Sequence, residues 1–118
     1  MKDEILPIYS NSYGVAFKWK YGIRKNKDKV QMVFRDTGLL LTRKELIQFS
    51  KNIQCTLNGE EGCHRCNEED CRSLLLDTPA PQISLAVSKR ELGALEDLVE
   101  GTLFQMDLNT YLNNICEN

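Results

Sequence analysis

The sequence predicts one α+β domain, with an antiparallel sheet of about five strands and helices on one face of that sheet. Segments with apolar residues at every second position predict strands, and capped segments with apolar residues at helical spacing predict helices. A polar segment rich in cysteine separates two halves of similar plan. We expect a first half at residues 13–57, the cysteine-rich loop at 58–72, and a second half with a C-terminal helix at 73–116.

The first half opens with two strand patterns. Apolar or aromatic side chains occupy every second position from Tyr13 to Tyr21, which is the period of a strand with one buried face. The same alternation covers residues 30–34 after a charged connection. These two segments are therefore predicted to pair as strands.

A turn and a short strand lead into the first helix. Residues 36–38, Asp-Thr-Gly, predict the turn, and the three leucines at 39–41 predict the strand. Thr42 followed by Glu45 forms a capping box, and apolar residues continue at helical spacing beyond it. The predicted helix runs from about residue 43 to about residue 55.

The second half repeats this plan. Residues 39–46 align with residues 85–92, matching a strand, a cap, two basic residues, a glutamate and a leucine. The alignment continues without a gap to the helix end, where Cys55 meets Gly101, a residue type that commonly ends helices. We therefore expect a duplicated strand-turn-strand-helix unit whose second helix stops near Gly101.

A last helix is predicted over about residues 107–116. Its apolar residues recur at helical spacing, so they form one stripe. The stripe consists of Leu108, Tyr111, Leu112 and Ile115. A stripe of this kind has to pack on another surface.

Composition and charge bound the class of protein. The 118 residues are 42% hydrophobic, which suits one domain with its own core. The sequence has no apolar run near 18 residues and no apolar core of a signal peptide at its start, so we expect a cytoplasmic protein with no membrane span. Residues 1–59 carry eleven Lys or Arg against five acids, and residues 60–118 carry four against twelve, which favours attraction between the halves.

Four of the five cysteines lie within seventeen residues, and this cluster is the strongest chemical signal in the chain. Two residues separate Cys63 from Cys66, a spacing that lets one tight turn direct both sulfur atoms at one ion. Cys55 lies where the first helix is predicted to end, and Cys71 just before the next strand. The four thiolates predict a structural zinc site, and Arg65 and Arg72 are placed to offset their negative charge.

Other uses of the cysteines stay open. An iron-sulfur cluster also takes four thiolates. The Cys63 and Cys66 pair has the spacing of a thiol-redox site, although the five acidic residues around it raise a thiol pKa rather than lower it. Free thiols are a further alternative.

A basic hairpin over residues 18–29 suggests nucleic acid as another alternative. Cationic side chains there alternate with Phe17 and Trp19, but strand alternation places the aromatic rings and the lysines on opposite faces. We expect the aromatic face to be core and the lysines to be solvated, so nucleic acid is disfavoured as a partner.

The chain lacks the motifs of the common catalytic classes. It has no phosphate-binding glycine loop and no nucleophile elbow, and a single histidine leaves no paired histidines for a catalytic metal. The sequence therefore favours a non-enzymatic binding or adaptor module with a protein partner.

Overall fold

The computed structural model describes residues 5–20, 29–59 and 71–116. These residues contain strands in two sheets and two helices, which confirms the α+β class. In chain order the elements are β1 (Ile5–Ser10), β2 (Gly14–Trp19), β3 (Val30–Phe34), β4 (Thr37–Leu41), α1 (Arg43–Asn58), β5 (Leu74–Asp77), β6 (Ser84–Val87) and α2 (Lys89–Cys116). Neither helix is long and apolar enough, within these ranges, to cross a membrane.

The described strands form two antiparallel sheets rather than the single sheet of about five strands that the sequence predicts. β1 to β4 make a four-stranded sheet in chain order, and β5 pairs with β6 in a two-stranded sheet. Helix α1 packs against both β4 and β5. The two sheets are thus joined through a helix, and no hydrogen-bonded ladder links them among the described residues.

Strand β1 lies at the edge of the larger sheet and was not predicted. Pro7 lies inside it, and an edge strand tolerates proline because proline has no N–H to donate to a neighbour. The register with β2 shifts between Pro7 and Tyr9, as at a β-bulge. A proline and a bulge together hide the alternation on which the prediction of strands depends.

The core face of β2 is the opposite of the one predicted. Ala16 is fully buried in the core and lies opposite Met32 of β3, whereas Phe17 lies opposite Gln31 on the other face of the sheet. A side chain at Gly14 would clash with Leu98 of α2. Small residues therefore face the helix so that it can approach the sheet closely, and Phe17 and Trp19 lie on the other face, where Phe17 is still buried.

The turn between β3 and β4 is tighter than predicted and comes earlier. Arg35 and Asp36 form it, and β4 already begins at Thr37. Arg35 has a φ of 56°, in the left-handed region that favours glycine. Its guanidinium Nη1 donates to the backbone oxygen of Ala86 in β6 at 3.1 Å, so the turn also contacts the smaller sheet.

Helix α1 begins as the sequence predicts. The Thr42 hydroxyl accepts from the Glu45 N–H, and the Glu45 carboxylate accepts from the Thr42 N–H, which completes the capping box. The helix extends to Asn58, three residues beyond Cys55, and the N–H of the C-capping Gly59 donates to the Cys55 oxygen at 3.0 Å. Cys55 therefore lies in the last turn of α1.

Helix α2 is continuous through Gly101, so the predicted helix end there and the predicted separate helix at 107–116 are wrong. A side chain at position 101 would clash with the ring of Tyr9 in β1. The Tyr9 hydroxyl donates to both oxygens of the Asp97 carboxylate, at 3.0 and 3.1 Å. Gly101 thus serves as the contact point for an aromatic ring rather than as a helix cap.

Gly101→Ala should lower the free energy of unfolding by about 1 to 3 kcal/mol, because the added methyl group overpacks the Tyr9 contact. In a Tyr9→Ala background the same substitution should instead stabilise, by about 1 kcal/mol, because alanine favours helix over glycine. Gly93→Ala is the matched control, since nothing lies within 4 Å of a side chain added there in the same helix. Denaturant unfolding of these variants measures the effects, and additive effects of positions 9 and 101 would contradict the contact.

One hydrophobic core connects the two helices and both sheets. It includes buried residues of β2, β3, β4, α1, β5, β6 and α2. The helices run antiparallel, because Arg43, Ser50 and Gln54 along α1 bond to Asp107, Glu100 and Glu96 along α2 in reverse order. The end of α1 is consequently held beside the smaller sheet, where the cysteine-rich loop returns.

Candidate metal and thiol site

The structure describes two of the four predicted ligands. Cys55 has a free and exposed thiol in the last turn of α1. Cys71 is partly buried and lies three residues before β5. Cys63 and Cys66 lie outside the described residues, as does His64.

The two ends of the cysteine-rich loop face a common cleft. Its volume is about 500 Å³, and its lining includes Cys55 and Gly59 from the end of α1 and Ser73 to Leu75 from the start of β5. The Asn52 side-chain amide donates to the Asp77 backbone oxygen at 2.9 Å, which ties α1 directly to β5. The Cys55 thiol is thus held near the segment that directly follows Cys71.

Cys71 is disulfide-bonded in this structure, and its partner is not Cys55, which is free. A disulfide sulfur lacks the thiolate charge that binds zinc, so Cys71 can act as a ligand only after reduction. The Ser73 N–H donates to the Cys71 oxygen at 2.9 Å, so the backbone turns tightly before β5 begins.

The described residues alone do not form a metal site. Within residues 5–20, 29–59 and 71–116, no three His, Cys, Asp or Glu side chains are placed to hold one ion. Two of the four predicted cysteines lie beyond these ranges. The four-cysteine set therefore stays a prediction.

A polar cluster around Glu91 anchors the exit of the loop. Arg72 Nε and Nη2 donate to the two oxygens of the Glu91 carboxylate, each at 2.9 Å. The Tyr13 hydroxyl donates to the same carboxylate at 3.2 Å, and Arg35 Nε lies 3.9 Å from it. Glu91 also caps α2, accepting from the Ser88 N–H at 3.0 Å. One carboxylate thus joins the residue before β2, the β3–β4 turn, the residue after Cys71 and the start of α2.

The charged groups in this cluster shift one another's pKa values. Burial alone would raise the pKa of Glu91, but hydrogen bonds from Arg72 and Ser88, with the positive charge of Arg72, lower that pKa from 4.5 to about 2. The Glu91 hydrogen bond and charge in turn raise the pKa of Arg72. Arg72 is thereby paired with Glu91, which differs from its predicted role of offsetting the cysteine thiolates.

The sequence marks Glu91 only as a helix cap. Its capping-box position was visible as Ser88 followed three residues later by Glu91. Its contacts with Tyr13 and Arg35 cross more than fifty residues of sequence, so no local pattern marks them. The short distance from Arg72 to Cys71 in the sequence was the available signal that this cluster adjoins the cysteine loop.

The basic hairpin is described only at its edges. Lys18 and Trp19 lie at the end of β2, whereas the predicted cationic tip lies outside the described residues. Trp19 packs edge-on against Phe17, with ring centroids 5.1 Å apart, and its indole N–H donates to Gln31 at 3.3 Å. Phe17 is buried, whereas Trp19 is 39% exposed, so the expectation that nucleic acid is disfavoured as a partner stays a prediction.

No known protein family, curated protein or solved structure shows significant similarity to this chain. The physical features of the site therefore carry the functional argument alone.

Proposed function

We propose that this protein is a small non-enzymatic binding or adaptor module whose cysteine-rich loop is closed by one structural zinc ion. Cys55, Cys63, Cys66 and Cys71 would be the four ligands. The supporting observation is that the exposed Cys55 thiol lines the cleft formed with the segment after Cys71. A loop whose two ends meet in this way needs only a turn at Cys63 and Cys66 to bring four sulfur atoms together.

A structural role fits this ligand set better than a catalytic one. Four protein ligands fill the tetrahedral positions of zinc and leave none for a substrate. The Glu91 cluster would hold the backbone beside Cys71 in place through Arg72. The metal would then rigidify a surface loop next to an independent core, as expected of a module that presents the loop to a protein partner.

The duplication is part of this proposal. Each helix follows a two-stranded hairpin, and Ser88 and Glu91 form the same reciprocal cap at α2 that Thr42 and Glu45 form at α1. We propose that the two hairpin-helix units arose from one ancestral unit, with the cysteine-rich loop inserted between them.

A thiol-redox protein is the second candidate, and the disulfide at Cys71 favours it. A chain with a disulfide and a separate exposed thiol can undergo thiol-disulfide exchange, in which a thiolate attacks one sulfur of the bond and releases the other. The two candidates predict different chemistry for the purified protein. Zinc binding needs all four thiols reduced, whereas redox function needs a disulfide that forms and breaks reversibly.

Metal content of the full chain, purified under reducing conditions, tests the proposal. We expect one zinc per chain and no visible absorption, because zinc thiolates are colourless. Cys63→Ser and Cys66→Ser should each release the metal while the core stays folded. Cys116, the fifth cysteine, lies at the end of α2 outside the proposed ligand set, so Cys116→Ala is the control and should retain the metal.

Three outcomes would contradict the zinc proposal. Iron with visible absorption would indicate an iron-sulfur cluster. A metal-free protein that reduces insulin through a reversible disulfide would indicate the redox function. Loss of metal on Cys116→Ala would show that the ligand set is wrong.

A further inference from the structure

The C-terminal part of α2 carries an apolar stripe on the face turned away from the core. Buried Leu95, Leu98, Val99 and Thr102 define the core side of the helix. Phe104, Leu108, Tyr111, Leu112 and Ile115 lie on the opposite side, at steps that keep them on one face of a helix with 3.6 residues per turn. We call these five residues the α2 stripe.

Four of the five residues of the α2 stripe are exposed within the described part of the chain, and the fifth, Leu108, is partly buried. Phe104 and Tyr111 are 63% and 62% exposed, and Leu112 and Ile115 are 47% and 51% exposed. Arg43, the first residue of α1, pairs with Asp107 at 2.9 Å, so α2 runs on past the start of the helix that flanks it. The final nine residues, 108–116, extend for about 14 Å at 1.5 Å per residue.

This extension has little reason to be helical by itself. Asn109, Thr110, Tyr111 and Ile115 are weaker helix formers than alanine or leucine. The last turn contains no basic residue to complement the helix dipole. A helix of this composition gains its stability from packing of its apolar face.

We infer that the α2 stripe is the interface of a homodimer, in which the same face of a second copy covers it around a two-fold axis. Phe104, Leu108, Tyr111 and Ile115 are spaced by four, three and four residues, which is the a/d spacing of a coiled-coil seam. A seam of this kind is self-complementary, because the knobs of one helix fit the holes of an identical helix.

Charge favours a second copy over a different partner. Asp107 is the one charged residue between 104 and 115, and it is paired with Arg43. Two identical stripes therefore meet without like charges opposing each other, and they present no charge for a complementary partner to recognise.

The area also suits a dimer. With about 150 to 250 Å² for a large side chain, the exposed fractions leave roughly 400 Å² of apolar surface on each chain. Two copies and their flanking polar residues would bury about 1,000 Å² together, which reaches the lower bound of a specific interface. The largest apolar patch on a typical monomer is about 300 to 600 Å² and is often functional, so the size of the α2 stripe is that of a functional surface.

Sedimentation of the full chain, with reducing agent and zinc present, tests the inference. The wild-type protein should sediment at twice the chain mass of 13.5 kDa and dissociate on dilution. Tyr111→Lys combined with Ile115→Lys should give the monomer mass, because two charges enter the seam from each copy. Asn109→Lys combined with Thr110→Lys is the matched control: it adds the same charge to exposed positions off the stripe and should leave the dimer intact.

A second pair of substitutions guards against misfolding. Tyr111→Ala with Ile115→Ala raises helix propensity while removing contact area, and should weaken the dimer about 100-fold or more. A monomeric wild-type protein from about 1 to about 100 µM would overturn the inference. A dimer that persists in the Tyr111→Lys, Ile115→Lys variant would also overturn it. The same holds if the Asn109→Lys, Thr110→Lys control is monomeric, or if the wild-type dimer is lost when disulfides are reduced.

Discussion

Replacing Phe49 with alanine should lower the free energy of unfolding by about 3 to 5 kcal/mol. Phe49 lies at the centre of α1, is fully buried, and belongs to the core cluster shared by both sheets. Removing the ring leaves a cavity among the helices and strands that surround Phe49 on several sides. The loss should reach the whole domain, because the two halves share this core and unfold together.

Denaturant unfolding followed by two probes measures this effect. Trp19, the one tryptophan, reports on the four-stranded sheet, and far-UV circular dichroism reports mainly on the helices. Both transitions should shift together. Leu75→Ala is the control, because Leu75 is 70% exposed on β5 and should change stability by no more than about 0.5 kcal/mol. Separate transitions for the two probes would show that the halves do not share one cooperative core.

Glu91→Gln should remove about 2 to 3 kcal/mol of stability at neutral pH. Glutamine keeps an oxygen that accepts from the Ser88 N–H but has no negative charge for Arg72 or Arg35. The lowering of the Glu91 pKa from 4.5 to about 2 sets an upper limit of about 3 kcal/mol, at 1.36 kcal/mol per pKa unit. Solvent around the half-exposed Arg72 reduces that value.

Glu91→Gln should also make the free energy of unfolding depend less on pH in the acidic range. Because the pKa of Glu91 is lower in the folded protein, its stabilisation is complete above the unfolded pKa of 4.5 and is lost as the pH falls toward about 2. The difference in unfolding free energy between wild type and Glu91→Gln should therefore shrink over this range.

Unfolding at a series of pH values tests the Glu91 prediction. Asp107→Asn is a suitable comparison, since its pair with Arg43 is more than half exposed on both sides and should contribute no more than about 1 kcal/mol. A constant difference between wild type and Glu91→Gln from neutral pH to pH 2 would contradict the assignment of charge to this cluster.

Glu91 also offers a link between the fold and the cysteine-rich loop. Arg72 follows Cys71 directly and is held by both oxygens of Glu91. The backbone next to one proposed ligand is therefore positioned by the start of α2. Residues that orient a metal ligand through a neighbour are part of the site even when they do not touch the ion.

Local patterns in the sequence determined the parts of the fold that depend on short-range chemistry. The capping box at Thr42 and Glu45 needs only residues three apart, so it was visible without a structure. Strand β3 followed from its alternation, and helix α1 from the spacing of Leu46, Phe49 and Ile53. The clustering of the four cysteines was likewise a property of the sequence itself.

Tertiary packing decided the features that a local rule predicts wrongly. Gly101 resembles a helix end, yet the Tyr9 ring occupies the space that a side chain there would need, and the helix continues. The aromatic side of β2 resembles a core face, yet Gly14 and Ala16 face α2 because the helix has to lie close to the sheet. Both outcomes depend on contacts between segments that are far apart in the sequence. A short stretch of sequence does not contain that information.

The candidate site likewise combines features set by the local sequence with features set by tertiary packing. The sequence by itself determined that four thiols lie close together in the chain, because spacing is a local property. Only the tertiary structure decided that the end of α1 and the start of β5 share a cleft, that Arg72 pairs with Glu91, and that the α2 stripe is left exposed. These depend on how the helices pack on two separate sheets, which is set by the burial of the whole core rather than by any one segment.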